Sequence, residues 1–153
     1  METALETAGQ PVNWGTMAHE HDTFAVLADT AMQQHDAAAL RQYTPRLEEL
    51  ATRDGHKLYL AIAYRAWGVA HRLAGEHAEA EARLNQALEL FEELEARWQI
   101  GRTLAEMGEL ALAQSNTDAA RDYFSRALVA FEALQAVPDM ERTREALERK
   151  VNA

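Results

Sequence analysis

Histidine and carboxylate are the side chains here best suited to metal or acid–base chemistry, and they first gather at His19, Glu20, His21 and Asp22. On a helix, a His-x-His pair sets its two rings about 200° apart, so the pair could chelate one ion only from extended chain. No second cluster at ligand spacing supports it, and there is no His-Glu-x-x-His, so the sequence assigns no metal. These four residues read as a solvated helix start. His35, His56 and His77 fall near expected helix ends and read as surface groups. Nucleophile chemistry fares no better. Cysteine is absent, serine occurs only at Ser115 and Ser125, and there is no Gly-x-Ser-x-Gly and no glycine-rich phosphate loop. No catalytic residue and no cofactor is assigned.

Charge recognition is the chemistry that remains. Ile62, Arg65, Val69 and Arg72 fall on one helical face. The same face forty residues on carries Arg102, Ala105, Glu109 and Leu112, with Glu106 beside it, and an earlier helix carries Asp22, Ala25, Asp29 and Met32. Arg65, Arg72 and Arg102 can form a basic patch, and an arginine fork suits a carboxylate. The competing reading pairs these arginines with Glu106, Glu109 and Asp29 on a solvated surface.

The bulk properties narrow the partners. The formal net charge is −10 and the only lysines are Lys57 and Lys150, which argues against nucleic acid and against acidic membrane surfaces. No run approaches the roughly 18–20 apolar residues of a membrane span. The opening METALETAGQPVNW has no basic segment followed by an apolar block, so no secretory signal is read and a cytoplasmic location is expected. Ala, Leu and Glu dominate, which favours helices.

The elements that must position these residues are written twice. Tyr64, Trp67, Gly68, Ala80, Leu84, Ala87, Leu88, Phe91 and Leu94 are matched forty residues later by Leu104, Met107, Gly108, Ala120, Phe124, Ala127, Leu128, Phe131 and Leu134. Large meets large and small meets small. A fixed period in this range marks a stacked repeat array. Gly68 with Ala80, and Gly108 with Ala120, would let paired helices approach closely. His71 takes a core-facing repeat position and is expected to be packed and hydrogen-bonded.

These spacings resemble the tetratricopeptide repeat, a helix–turn–helix unit. The resemblance implies an all-α fold: a right-handed superhelix of about seven antiparallel helices, with the first helix of each pair lining a concave surface where ligands bind. It departs from the family at His71 and Ala111, which stand where an aromatic is usual, and at Glu92 and Glu132, where Pro is usual. The unit is also longer than the familiar one of about thirty-four residues, and a second helix lengthened by nearly two turns is expected to account for it. The family's lysine and asparagine grip on a C-terminal carboxylate is not matched, because Val69 and Glu109 stand at the asparagine positions.

The expected organisation is a flexible tail over 1–15, with Trp14 available to staple it, and repeats over about 17–54, 57–96 and 98–137. A capping helix follows over 139–151, with Met140, Leu147 and Val151 on its inner side and a charged outer face. Pro45 is expected to kink or restart the second helix with Thr44 as cap, and Pro138 to close the sixth. The predicted site is the concave face of Arg65, Val69, Arg72, Arg102, Glu106 and Glu109. The expected function is a non-enzymatic scaffold that binds a protein or peptide partner, one with acidic character. Its forty-residue form resembles repeat segments of large bacterial signalling ATPases, cyclases and transcription regulators. One alternative is a self-assembly module, a homodimer formed through Trp98 or through Phe24 and Leu27. The other is a helical-bundle enzyme or phosphotransfer domain using His21 or His35.

Overall fold

The computed structural model describes residues 14–152. The helices are α1 (Trp14–Gln34), α2 (Ala37–Asp54), α3 (Lys57–Leu73), α4 (His77–Glu93), α5 (Arg97–Ala113), α6 (Thr117–Leu134) and α7 (Val137–Glu145). The last runs on into a π-helical turn over Ala146–Val151. The fold is an all-α helical repeat. Most of the expected tail, residues 1–13, lies outside the described residues, as does the Trp14 side chain. Trp14 and Gly15 are not tail, because α1 already begins at Trp14.

Every helix packs on its successor, α1 also packs on α3, and α3 touches α5. The odd-numbered helices therefore form one layer and the even-numbered helices the other.

One kind of turn sets this arrangement. Left-handed backbone occurs at His35, Gly55, Gly75, Glu95, Ser115 and Gln135, a spacing of twenty residues throughout. In each turn the next N–H, from Asp36, His56, Glu76, Ala96, Asn116 or Ala136, donates to the carbonyl five residues back at 2.8–3.0 Å. The left-handed residue's own N–H donates three residues back. This is the Schellman arrangement, which satisfies the last carbonyls of a helix and reverses the chain. Asp36 and Asn116 then cap the next helix, each accepting from the backbone three residues on at 3.1 Å.

The helices and turns correct three expectations. The second helix of a pair is not lengthened: α3 and α4 both have 17 residues. The left-handed residues Glu95 and Gln135 stop α4 and α6, and the forty-residue period is two equal twenty-residue units. Pro138 does not close α6 but stands in the first turn of α7, where its missing N–H costs nothing. Pro45 does not restart α2, which runs unbroken past it. Thr44 is fully buried rather than capping. Pro45 and Arg41 are both exposed, so water can reach the carbonyl that Pro45 leaves without a donor.

Close approach within pairs follows the small residues. A Cβ on Gly68 would stand 2.7 Å from the Leu84 side chain, and one on Gly108 would stand 2.8 Å from the Phe124 ring. Gly101, which the repeat comparison did not single out, makes the same kind of room for Phe131 at 2.7 Å. Leu84, Phe124 and Phe131 are themselves buried, so the rings and branches cannot simply swing aside.

Two substitutions test these constraints in opposite directions. Gly108→Ala should lower unfolding free energy by about 1–3 kcal/mol through overpacking. Gln135→Gly should raise it by about 0.5–1 kcal/mol, because glycine relieves the left-handed strain and gives back part of that gain in unfolded-chain entropy. Urea denaturation followed by circular dichroism reads both.

Candidate functional site: the groove of the odd-numbered helices

The predicted face does not lie open. Arg65 is 1% exposed and Val69 is fully buried. Arg102 and Glu106 are also buried, Arg72 is nearly so, and Glu109 stands at the margin. α1 packs over this face, through Ala25, Ala28, Ala31 and Met32 against α3 and through Asp29. Asp29 Oδ1 lies 3.0 Å from Arg102 Nη1 on α5 and 3.7 Å from Arg65 Nη2 on α3. One carboxylate thus ties α1 to both α3 and α5 across the face that the sequence reading left exposed.

Each side chain is further held. Gln33 Nε2 donates to Asp29 Oδ2 at 3.0 Å. Arg65 Nη1 donates to Gln99 O and to Thr103 Oγ1, each at 3.3 Å, and its guanidinium carbon lies 5.2 Å from the Phe91 ring centre. Arg102 lies over Trp98 at 5.3 Å, a cation–π approach. Arg72 Nη2 pairs with Glu106 Oε1 at 3.5 Å, and Lys150 Nζ with Glu109 Oε2 at 3.0 Å. The pairing of the three arginines with Asp29 and Glu106 is therefore the arrangement adopted, but it is buried rather than solvated.

Burial here is electrostatically costly. Desolvation first, then the neighbouring Arg102, pulls the Arg65 guanidinium down to about 9, against the opposing pull of Asp29 and Glu106. Burial likewise pushes the Glu106 carboxyl up, although Arg72 and Arg102 resist.

Beside this network opens a cavity of about 400 Å³ between α1, α5 and α7. Met32, Ala105, Phe131 and Ala146 supply its apolar lining, and Arg102, Glu106 and Glu109 stand on it. Arg65, Val69 and Arg72 do not reach it. The wall that sequence reasoning missed belongs to α7, with Arg142 and Glu145, and to the π-helical turn after it, with Arg149. The signal was present: Arg142 and Arg149 stand forty residues after Arg102 and Glu109. α7 is thus in register as a further first helix, where the sequence reading saw only a charged outer face. It buries Asp139 and Thr143, the turn after it buries Ala146, and Trp98 Nε1 donates to Asp139 Oδ2 at 2.9 Å.

The histidine readings divide. His21 is not solvated: it is buried, with Nε2 3.0 Å from Asp54 Oδ2 and 3.3 Å from Leu50 O. Because α1 starts at Trp14, His21 lies two turns into the helix and faces the end of α2. Its ring stacks on Tyr59, which donates to Asp22. Burial, then that bond, lifts the Tyr59 hydroxyl to about 12. Among the described residues, no group of three or more His, Asp or Glu could hold a metal ion. His71 Nδ1 lies 2.7 Å from Glu76 Oε1 and is half-buried, in keeping with a packed, bonded histidine. His56 caps α3, and His35 is one of the left-handed turn residues.

Helix hairpins stacked in two layers, with a groove along one of them, define a helical-repeat scaffold. Residues 59–133 match the tetratricopeptide repeat family, and the chain is a tetratricopeptide repeat protein. No curated protein matches it in sequence. Such repeats serve protein–protein interaction. No helix among the described residues is long and apolar enough to cross a membrane.

Glu106 provides a pH test of the buried network. Its value is raised in the folded state, so the stability it contributes is complete below the unfolded value of 4.5 and is lost as pH rises through the folded value. Glu106→Gln is neutral throughout. It should gain on wild type in urea midpoint as the pH rises above 4.5. A difference that does not change as the pH rises from below 4.5 would show that the Glu106 charge carries no net cost.

Proposed function

We propose that the protein is a non-enzymatic interaction module whose groove between α1, α5 and α7 receives a segment of a partner protein with acidic character. The observation that carries this reading is the cavity, with an apolar lining and a charged rim, placed on the first-helix layer of a tetratricopeptide repeat protein. A volume near 400 Å³ suits one or two large side chains rather than a long stretch of chain. Of the predicted residues, Arg102, Glu106 and Glu109 would meet the occupant, and Arg65, Val69 and Arg72 would support them from behind. The setting that fits is a cytoplasmic regulatory segment of a larger signalling protein.

Self-association is the second reading, and one observation favours it. Leu94, Trp98, Leu134 and Val137 are all exposed and lie at the α4–α5 and α6–α7 turns. They would bring the α4 and α6 C-terminal ends of two copies together.

The test is affinity capture from lysate with wild type beside two variants. Gln33→Trp fills the cavity from α1, and Glu89→Arg changes the exposed face of α4. The reading expects a partner retained by wild type and Glu89→Arg, and reduced at least tenfold by Gln33→Trp. Equal capture by all three would move binding off the groove. Light scattering that finds a dimer broken by Trp98→Glu, with no groove-dependent partner, would favour self-association.

A further inference from the structure

Arg102 belongs both to the buried network and to the cavity lining, as Glu106 does. Its side chain is 7% exposed, yet its partner Asp29 is 28% exposed. Their separation is 3.0 Å, but the two atoms are not aligned for a hydrogen bond: neither Asp29 Oδ1 nor Arg102 Nη1 has a hydrogen-bond partner among the described residues. The same oxygen must also serve Arg65 at 3.7 Å. Nearby, the Nε atoms of Arg65 and Arg72 are likewise buried without a partner. Three guanidiniums thus share two carboxylates, those of Asp29 and Glu106, and the cluster keeps one positive charge in excess. A buried cation held by one misaligned and partly hydrated carboxylate is under-served.

We propose that Arg102 is an exchange site for a carboxylate: an acidic side chain of the partner segment enters the cavity, takes the Arg102 guanidinium from Asp29, and so releases α1 from α5. This rests on the groove reading above and gives it a specific event. The fork of Arg102 can meet an incoming carboxylate in line, which the Asp29 geometry does not allow. Arg65 and Gln33 remain to hold Asp29 when Arg102 leaves it. The contact given up is one that bridges α1 and α5, helices that do not follow one another in the chain. Occupancy of the cavity would thereby be coupled to the seating of the first helix pair.

The probes are two acetylated, amidated hexapeptides, one alternating Glu and Leu and the other alternating Gln and Leu. Each is titrated into the full chain labelled with nitrogen-15, and amide shifts at Ala105 and Ala146 report the groove. The Glu peptide should bind at least tenfold tighter than the Gln peptide. Asp29→Asn, which removes the internal competitor, should tighten the Glu peptide about threefold or more and leave the Gln peptide unchanged. Arg102→Gln should abolish the preference, and Arg102→Lys, which keeps the charge without the fork, covers the case in which Arg102→Gln does not fold. Equal binding of both peptides in the groove overturns the carboxylate exchange while leaving the groove reading intact. Glu-peptide binding that Asp29→Asn leaves unchanged or weakens overturns the exchange with Asp29. Failure of the Glu peptide to shift groove amides at millimolar concentration overturns the proposal, whereas the groove reading itself falls only to the capture experiment.

Discussion

A single oxygen of Asp29 faces two buried guanidiniums, and the inner layer of the array is arranged around that contact. Taking two cations out of water costs several kcal/mol each unless counter-charge and donors' partners are supplied. Here the supply comes from different helices: a carboxylate from α1, a carbonyl and a hydroxyl from α5, and an aromatic face from α4. Remove any one and the arginines lose part of that compensation. The seating of α1 over α3 thus joins apolar packing to an electrostatic contact that reaches α5. It also defines the cavity, because Met32 and Gln33 of α1 form one wall only while α1 stays across the groove.

Around this contact the geometry is set by repetition. Six Schellman turns at twenty-residue intervals give helices of nearly equal length, so each odd-numbered helix meets the next in the same register. Glycine at 68, 101 and 108 and alanine at 80 and 120 let the pairs close. The register is what carries Arg102 from the network into the cavity, and what brings Arg142 and Arg149 to the opposite wall.

Much of this was legible in the sequence, and the failures have physical causes. The forty-residue offset revealed the repeat, the helix pairs and the small positions at the pair contacts. It did not reveal the twenty-residue turns, because four of the six left-handed residues are His, Glu, Ser and Gln rather than Gly. Without that stop signal, the helices ending at Glu93 and Leu134 read as continuing to Ala96 and Ala136. The groove face was found by helical spacing, and even its partner acids were named. Its burial was not, because spacing within one helix says nothing of a different helix laid over it. His21 was misplaced for a simpler reason: an α1 that starts three residues early turns a helix start into a helix interior. Pro45 shows the converse, a strong local breaker overridden where its freed carbonyl meets water.

Whether Asp29 and Arg102 truly depend on each other is open to direct measurement. A double-mutant cycle on unfolding free energy, with Asp29→Asn, Arg102→Gln and the two combined, isolates their pairwise coupling from the separate cost of each change. A coupling of about 1–2 kcal/mol is predicted, kept below the fully buried range because Asp29 is partly hydrated. Strict additivity of the two substitutions would contradict the account, for it would mean that α1 is seated over the groove by packing alone.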